Sequence, residues 1–160
     1  MRILGVDPGL RYTGWGVIDG TRCLGHGVLS VPSSIQISDR LAAIYQGLMA
    51  LFNEYQPSEV AIESVFVNSN GSSTMKLCMA RGVAVLVPGI LGIEVFEYST
   101  TLIKKTITGH GHAQKPQVNA MVKAIISGVA CQSNMDETDA LAVALCHERH
   151  KTFNKFNIAC

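Results

Sequence analysis

The chain lacks the features that would place it in a membrane or in an oxidising compartment. Its longest apolar stretch, residues 82–93, is broken by Pro88 and Gly89 and is too short to span a bilayer. Its five cysteines are odd in number and are never spaced as Cys-x-x-Cys, which argues against a disulfide framework and a zinc site. No signal-like apolar segment precedes Asp7. We therefore expect a cytoplasmic protein with reduced cysteines and no membrane partner.

Charged residues are also scarce. They make up 16% of the chain, whereas hydrophobic residues make up 48%, a balance that excludes intrinsic disorder. At 160 residues, a single domain buries about two thirds of the surface of its unfolded chain. The composition therefore predicts one globular domain with a sizeable core.

Acidic residues are absent from one long stretch, from Tyr98 to Met135, although the net charge of the whole chain is only +1. The charges in this stretch are those of Lys104, Lys105, Lys115 and Lys123, with two histidines between them. A locally positive surface attracts phosphate groups, so this pattern favours a nucleic-acid partner. The alternative is a pair of ordinary solvated helices.

Four acids, by contrast, occur where apolar patterning would bring them together. Asp7 ends an apolar strand, and Glu63 ends a second one. Ligands of open α/β sheets bind beyond the carboxyl ends of strands. Asp136 and Asp139 open a helix at a spacing of three residues, which places them on one face, whereas Glu137 points elsewhere.

Clustered carboxylates are the ligands that Mg²⁺ prefers. Two such ions about 3.5 to 4 Å apart can activate a water molecule and stabilise the leaving oxygen of a phosphodiester. Ordinary structural roles are the alternative, because Asp136 is suited to cap a helix and Asp7 to form an Asx turn. The set of four acids favours metal-dependent phosphodiester hydrolysis.

The patterning predicts a mixed α/β sheet that begins with an antiparallel meander of three strands. A hairpin signal at Asp19-Gly20 joins the second and third strands, and Ser38 and Asp39 are expected to cap a helix that Pro57 stops. The predicted strands are residues 2–7, 12–19, 21–30, 60–63 and 93–97. The predicted helices are residues 39–56, 73–87, 100–107, 116–127 and 136–149.

Seven motifs in order carry a resemblance to a known family. They are Asp-Pro-Gly, a Gly-rich hairpin, A-I-E-x-x-F, L-x-x-A-R-G-V, F-E-Y, G-x-G-x-A-x-K-x-Q-V and D-x-x-D-A-L-A, and they extend from Arg2 to about His147. Together they resemble the RuvC family of Holliday-junction resolvases. The resemblance implies a ribonuclease H-like fold with a five-stranded mixed sheet flanked by helices, in one nuclease domain over residues 1–150. Residues 151–160 match nothing in the family, and we expect them to form a flexible C-terminal tail.

The resemblance also implies an activity and its partners. The expected enzyme is a homodimer that nicks two symmetry-related strands of a four-way DNA junction during homologous recombination and DNA repair. It would use two Mg²⁺ ions per subunit, for which Mn²⁺ can substitute, and would work with the RuvA and RuvB branch-migration proteins. Met75, Met79 and Gly82 lie where the dimer helix of the family is found.

The residue roles carry over position by position. Asp7, Glu63, Asp136 and Asp139 fall on the catalytic and metal-binding acids of the family, and Lys115 on a basic residue of its active site. Lys104 falls on a DNA-contacting position and Phe66 on an aromatic residue that stacks on an unpaired base, a contact worth roughly 1 to 3 kcal/mol. Lys105 and Lys123 are further DNA-binding candidates from the basic stretch. The neutral residues 68–70 replace a basic residue of many relatives and predict a weaker grip on phosphate there.

Other interpretations fit parts of the pattern. A ribonuclease of the same fold acting on precursor ribosomal RNA would share the acids, and a noncatalytic junction-binding module would share the basic stretch. Sugar kinases and actin-like ATPases share the first strand and hairpin, but they need two lobes around the nucleotide. His147 and His150, on the last predicted helix, are candidates to approach the site, although a buried histidine satisfied by its neighbours is the commoner outcome.

Overall fold

The computed structural model describes residues 1–64, 71–130 and 135–157, without the side chains of residues 72, 73 and 152–157. One sheet contains five strands in the order β3-β2-β1-β4-β5. Strands β1, β2 and β3 pair antiparallel, and β4 and β5 continue the sheet parallel to β1, which confirms the predicted mixed sheet. The strand bounds are Arg2–Asp7, Tyr12–Asp19, Arg22–Ser30, Glu59–Glu63 and Glu94–Tyr98.

In the part of the chain that the structure describes, five helices flank the sheet, at α1 Ile37–Tyr55, α2 Gly71–Ile90, α3 Thr100–Thr108, α4 Lys115–Ile125 and α5 Met135–Asn157. The prediction that Ser38 and Asp39 cap α1 is wrong. The helix begins at Ile37, two residues earlier than predicted, so both residues lie within its first turn. Helix α1 ends as predicted before Pro57, where Gln56 adopts a left-handed conformation and its N–H donates to the carbonyl of Phe52.

Two helices are longer than the sequence predicts. Helix α2 continues through Pro88 to Ile90, and α5 continues past His150 to Asn157. Residues 151–157, expected as a flexible tail, therefore prolong the last helix, and residues 158–160 lie outside the described part of the chain. Across the described ranges, no helix is long and apolar enough to cross a membrane. Cys23, Cys78 and Cys146 are free thiols.

The sheet separates two apolar cores. On β1, Ile3 faces the core formed with α3, α4 and α5, and Leu4 and Val6 face the core formed with α1 and α2. This alternation follows from the period of two along a strand. Because both faces of β1 and β4 are covered, the interior residues of these strands, 3–6 and 60–62, carry no polar side chain, and each strand ends at an acid.

Helix α5 lies unusually close to the sheet. A Cβ atom at Gly5 would come within 2.1 Å of the carbonyl oxygen of Ala140, and one at Gly14 within 2.1 Å of the carbonyl oxygen of Asp136. A side chain at Gly16 would meet Leu141 in the same way. Glycine at these positions therefore allows the first turns of α5 to rest directly against β1 and β2.

Candidate active site

Three elements bring the predicted acids to one edge of the sheet. Asp7 and Glu63 are the last residues of β1 and β4, which are parallel neighbours with Val6 beside Ile62. Asp136 and Asp139 lie in the first turns of α5, whose backbone at Asp136 packs on Gly14 of β2. Gly14 is in turn paired with Asp7. The arrangement follows from strand patterning and from the glycines that admit α5.

The electrostatics show that these carboxylates influence one another. Burial, followed by the charges of Glu63 and Asp139, raises the pKa of Asp7 to about 7, and Lys115 opposes the rise. Burial also raises the pKa of Glu63, with a hydrogen bond from Thr100 acting against it and Asp139 adding to it. Crowded acids of this kind hold protons unless a cation offsets their charge.

The donors suit a hard divalent cation. Carboxylate oxygens match Mg²⁺ or Mn²⁺ rather than zinc, which favours nitrogen and sulfur. Within the described residues, no three acids, histidines or cysteines already enclose a single point as ligands. Asp139 is paired with Lys115.

Lys115 is the first residue of α4 and reaches across to α5. Its Nζ donates to Oδ2 of Asp139 at 2.6 Å, while the side chain keeps 60% of its surface exposed. The hydrogen bond from Lys115 to Asp139 raises the pKa of the lysine, which therefore stays charged at neutral pH. A second lysine, Lys104, lines the same pocket together with Glu63 and Asp139. The pocket thus places two positive side chains beside the acids.

The other predicted DNA-binding residues do not line this pocket or lie outside the described residues. Lys105 is exposed on α3 and Lys123 is half-buried in the last turn of α4, and the pocket lining includes neither of them. Phe66 lies outside the described residues, as does the neutral segment 68–70.

Thr100 makes a contact with Glu63 that the sequence analysis did not predict. Its hydroxyl donates a hydrogen bond to Oε1 of Glu63. The available signal was the run Ser99-Thr100-Thr101 directly after β5, since hydroxyl residues commonly begin helices and β5 is the parallel neighbour of β4. The register between β4 and β5 decides which hydroxyl contacts Glu63, and the local sequence does not predict that register.

The histidine candidates do not join the acids. His147 is buried, with Nδ1 bonded to the hydroxyl of Tyr98 at 2.7 Å and Nε2 to Oε2 of Glu59 at 2.9 Å. Glu59 is at the opposite end of β4 from Glu63. His147 is therefore a satisfied core histidine that ties α5 to the sheet. His150 instead contacts Thr106 at 3.2 Å.

Glu137, which lies between the two aspartates of α5, is turned away from them. Its Oε2 lies 2.9 Å from Nδ1 of His26 on β3. This agrees with the prediction from helical spacing that Glu137 points elsewhere. The contact ties the first turn of α5, which carries Asp136 and Asp139, to β3.

Comparison with known proteins gives consistent matches. The family model described as Crossover junction endodeoxyribonuclease RuvC matches residues 3–147. A protein of that name from Paramagnetospirillum magneticum is 46% identical over 155 residues, covering 94% of this chain and 93% of the relative. Another from Afipia carboxidovorans is 47% identical, covering 94% of this chain and 90% of the relative.

Solved structures match the whole architecture. A structure of T. thermophilus RuvC in complex with Holliday junction substrate superposes with a TM-score of 0.89 at 27% identity, covering 96% of each chain. The yeast mitochondrial Holliday junction resolvase Ydc2 superposes with a TM-score of 0.67 at 12% identity, covering 94% of this chain and 78% of that one, which is a likeness of fold.

Proposed function

The chain belongs to the RuvC family of crossover junction endodeoxyribonucleases, and we propose that Asp7, Glu63, Asp136 and Asp139 form the site at which it cuts DNA. The protein is a Holliday-junction resolvase with a ribonuclease H-like fold, a hydrolase of DNA recombination and repair. The resemblance read from its motifs is thereby confirmed. The observation that carries the assignment of the site is the convergence of β1, β4 and α5 at one edge of the sheet, beside a pocket lined by Glu63, Asp139, Lys104 and Lys115.

The four acids would hold divalent metal, Mg²⁺ by preference and Mn²⁺ as a substitute, with two ions in each subunit. The raised pKa values of Asp7 and Glu63 support this, because a cation among the carboxylates offsets the repulsion and burial that favour protonation. When bound, such ions supply a water molecule of lowered pKa and stabilise the leaving oxygen. The strand pairing of β1 and β4 fixes the backbones of Asp7 and Glu63 beside one another, where both side chains would meet the ions.

The lysines would act on the phosphate. Lys115 stands beside Asp139 with an exposed ammonium group, which can turn to a phosphate oxygen and stabilise the charge that develops during the reaction. Lys104, on the other wall of the pocket, would hold the neighbouring backbone. Lys105 and Lys123 would extend the positive surface along the DNA, and Phe66 would stack on an unpaired base at the crossover.

A second copy of the chain would complete the enzyme. Helix α2 exposes an apolar stripe at helical spacing, in which Met75, Leu86 and Ile90 keep 62%, 55% and 60% of their surface exposed and Met79 lies between them. Such a stripe on a soluble protein indicates an interface. A two-fold dimer would present two metal sites to two symmetry-related strands and would therefore make paired nicks.

The wider setting follows from the family alone. We assign the nuclease to a single domain over residues 1–150 and propose that it acts in the cytoplasm. RuvA and RuvB, which move the junction, would be its partners there.

The test is a comparison of substrates. A synthetic four-way junction, a linear duplex of the same sequence and a structured RNA should be incubated with the protein, with Mg²⁺ and with a chelator. We expect symmetric nicks in the junction alone, and only with Mg²⁺. Preferential cutting of the RNA would assign the site to a ribonuclease, and equal binding without any cutting would make the protein a junction-binding module.

A further inference from the structure

Thr100 occupies a special place at the beginning of α3. Strand β5 runs parallel to β4 with Tyr98 beside Glu63, so the residues that follow Tyr98 start the helix next to that acid. Ser99 serves as the helix cap, its side chain accepting a hydrogen bond from the N–H of Leu102 at 3.3 Å. Thr100 is therefore not needed as a cap.

The hydroxyl of Thr100 also differs from those of the later threonines in α3. Thr106 and Thr108 donate at 2.8 Å to the carbonyls of Leu102 and Lys104, four residues earlier in the same helix. A first residue has no helical carbonyl four positions before it. Its hydroxyl is turned to Glu63 instead, and among the described residues it supplies the only hydrogen bond to that carboxylate.

One hydrogen bond at this place has a specific consequence. The glutamate side chain has three rotatable bonds, and the strand pairing that fixes its backbone does not fix its carboxylate. A donor on Oε1 selects one orientation and leaves Oε2 for the pocket shared with Lys115 and Asp139. Groups that orient metal ligands in this way typically change metal affinity by about 10-fold to 100-fold when they are removed.

We infer that Thr100 is a positioning residue for Glu63, whose hydroxyl holds the carboxylate in the orientation that binds divalent metal. The inference rests on the proposed function, because it takes Glu63 as a metal ligand. It assigns to Thr100 no contact with DNA and no part in proton transfer.

The experiment compares three variants. Thr100→Val keeps the shape of the side chain and removes the hydroxyl, Thr100→Ser keeps the hydroxyl, and Thr101→Val makes the same change at the exposed neighbour. Mn²⁺ binding is measured by calorimetry without DNA, and junction cutting is measured as a function of Mg²⁺ concentration. Thermal unfolding and junction binding in chelator report on the fold.

We expect Thr100→Val to weaken Mn²⁺ binding and to raise the half-saturating Mg²⁺ concentration by about 10-fold or more. Thr100→Ser should stay within about twofold of the unmodified protein, as should Thr101→Val, and all three should bind the junction normally in chelator. Should Thr100→Val unfold, Thr100→Ala provides the same deletion without the second methyl group.

Two failures are distinguishable. If Thr100→Val binds and uses metal like the unmodified protein, Thr100 has no positioning role, although the metal site stands. If the unmodified protein itself neither binds Mn²⁺ nor needs Mg²⁺ for cutting, the proposed metal site fails and the role of Thr100 fails with it.

Discussion

At the scale of single residues, the raised pKa of Asp7 links the site to the stability of the fold. In the folded protein its pKa is about 7, raised by burial and by Glu63 and Asp139, against 3.8 without these influences. The folded form therefore retains a proton that the unfolded chain has lost. Without metal, ionising Asp7 costs stability progressively as pH rises from about 4 to about 7, and the full cost remains above that range.

Asp7→Asn should consequently stabilise the metal-free protein at alkaline pH. The amide carries no charge, so the advantage should grow between about pH 4 and pH 7 and reach on the order of 4 kcal/mol, from a rise of about 3 pKa units at about 1.4 kcal/mol each. Urea unfolding in chelator at several pH values measures it, with the exposed Asp39→Asn as a control. An advantage that shrinks as pH rises would mean that Asp7 is not held protonated.

Replacing Lys115 should have two opposite effects, one on metal binding and one on the rate of cutting. Its ammonium group pairs with Asp139 and stays charged, so we expect it to compete with metal for the acids while it stabilises the phosphate. Lys115→Met should lower the half-saturating Mg²⁺ concentration by about 5-fold, from an interaction on the order of 1 kcal/mol, yet reduce the maximal rate of cutting by about 100-fold.

Single-turnover cutting across a Mg²⁺ titration separates the two effects of Lys115→Met. Arg22→Gln, which removes a positive charge at the start of β3, should change neither quantity. Weaker metal binding in Lys115→Met would show that the lysine supports the acids rather than competing for them.

At the scale of elements, the approach of α5 to the sheet decides whether the acids meet. Gly14→Ala would place a methyl group within 2.1 Å of the backbone oxygen of Asp136, and α5 is anchored further along through His147. We expect Gly14→Ala to lower the free energy of unfolding by about 1 to 3 kcal/mol, because the added methyl group overpacks the core. Displacing Asp136 and Asp139 by about 1 Å should slow cutting by about 100-fold.

Urea unfolding and single-turnover cutting test the Gly14 prediction. Gly89→Ala, where an added methyl group meets nothing within 4 Å, is the control for unfolding free energy. Gly14→Ala with unchanged stability and activity would contradict the close packing of α5.

The elements differ in how far the sequence predicts them. Strand ends at Asp7 and Glu63 and the end of α1 before Pro57 follow from local patterns, since apolar periodicity and proline act within a few residues. The continuation of α2 through Pro88 and of α5 beyond His150 does not, because a proline and a polar sequence both predict a helix end locally.

The side chains around the acids show the same division. Asp7 and Glu63 can be predicted as acids that end apolar strands, and Asp136 and Asp139 as a pair three residues apart at the start of a helix. Hydrogen bonds between elements cannot be predicted in this way, because the bond from Thr100 to Glu63 depends on strand register and the two bonds of His147, away from the acids, depend on which face of α5 meets the sheet. Long-range geometry of this kind is set by the whole fold.

At the scale of the whole molecule, the stripe on α2 predicts the oligomeric state. Leu86→Glu places a charge among exposed apolar side chains and should weaken a dimer at least about 100-fold, from a penalty of a few kcal/mol for burying an unpaired charge. Sedimentation measures the mass, and Met121→Glu, on an exposed position of α4, is the matched control. The monomeric variant should also lose paired nicking.

Sedimentation of the unmodified protein can also contradict this interface. If the protein sediments with the mass of a single chain at the concentrations at which it cuts junctions, the proposed two-fold dimer is wrong. If the Leu86→Glu variant remains dimeric, the dimer interface does not lie on α2.

The convergence of distant acids on one metal-dependent cutting site is tested most directly by one paired assay on a labelled four-way junction. Cutting in Mg²⁺ and binding in chelator are measured for the unmodified protein and for Asp7→Asn. We predict that both bind the junction equally and that only the unmodified protein nicks it, with the variant reduced by at least about 1,000-fold, or about 4 kcal/mol of transition-state stabilisation. A variant that cuts at the normal rate, or an unmodified protein that cuts equally well in chelator, would contradict the account.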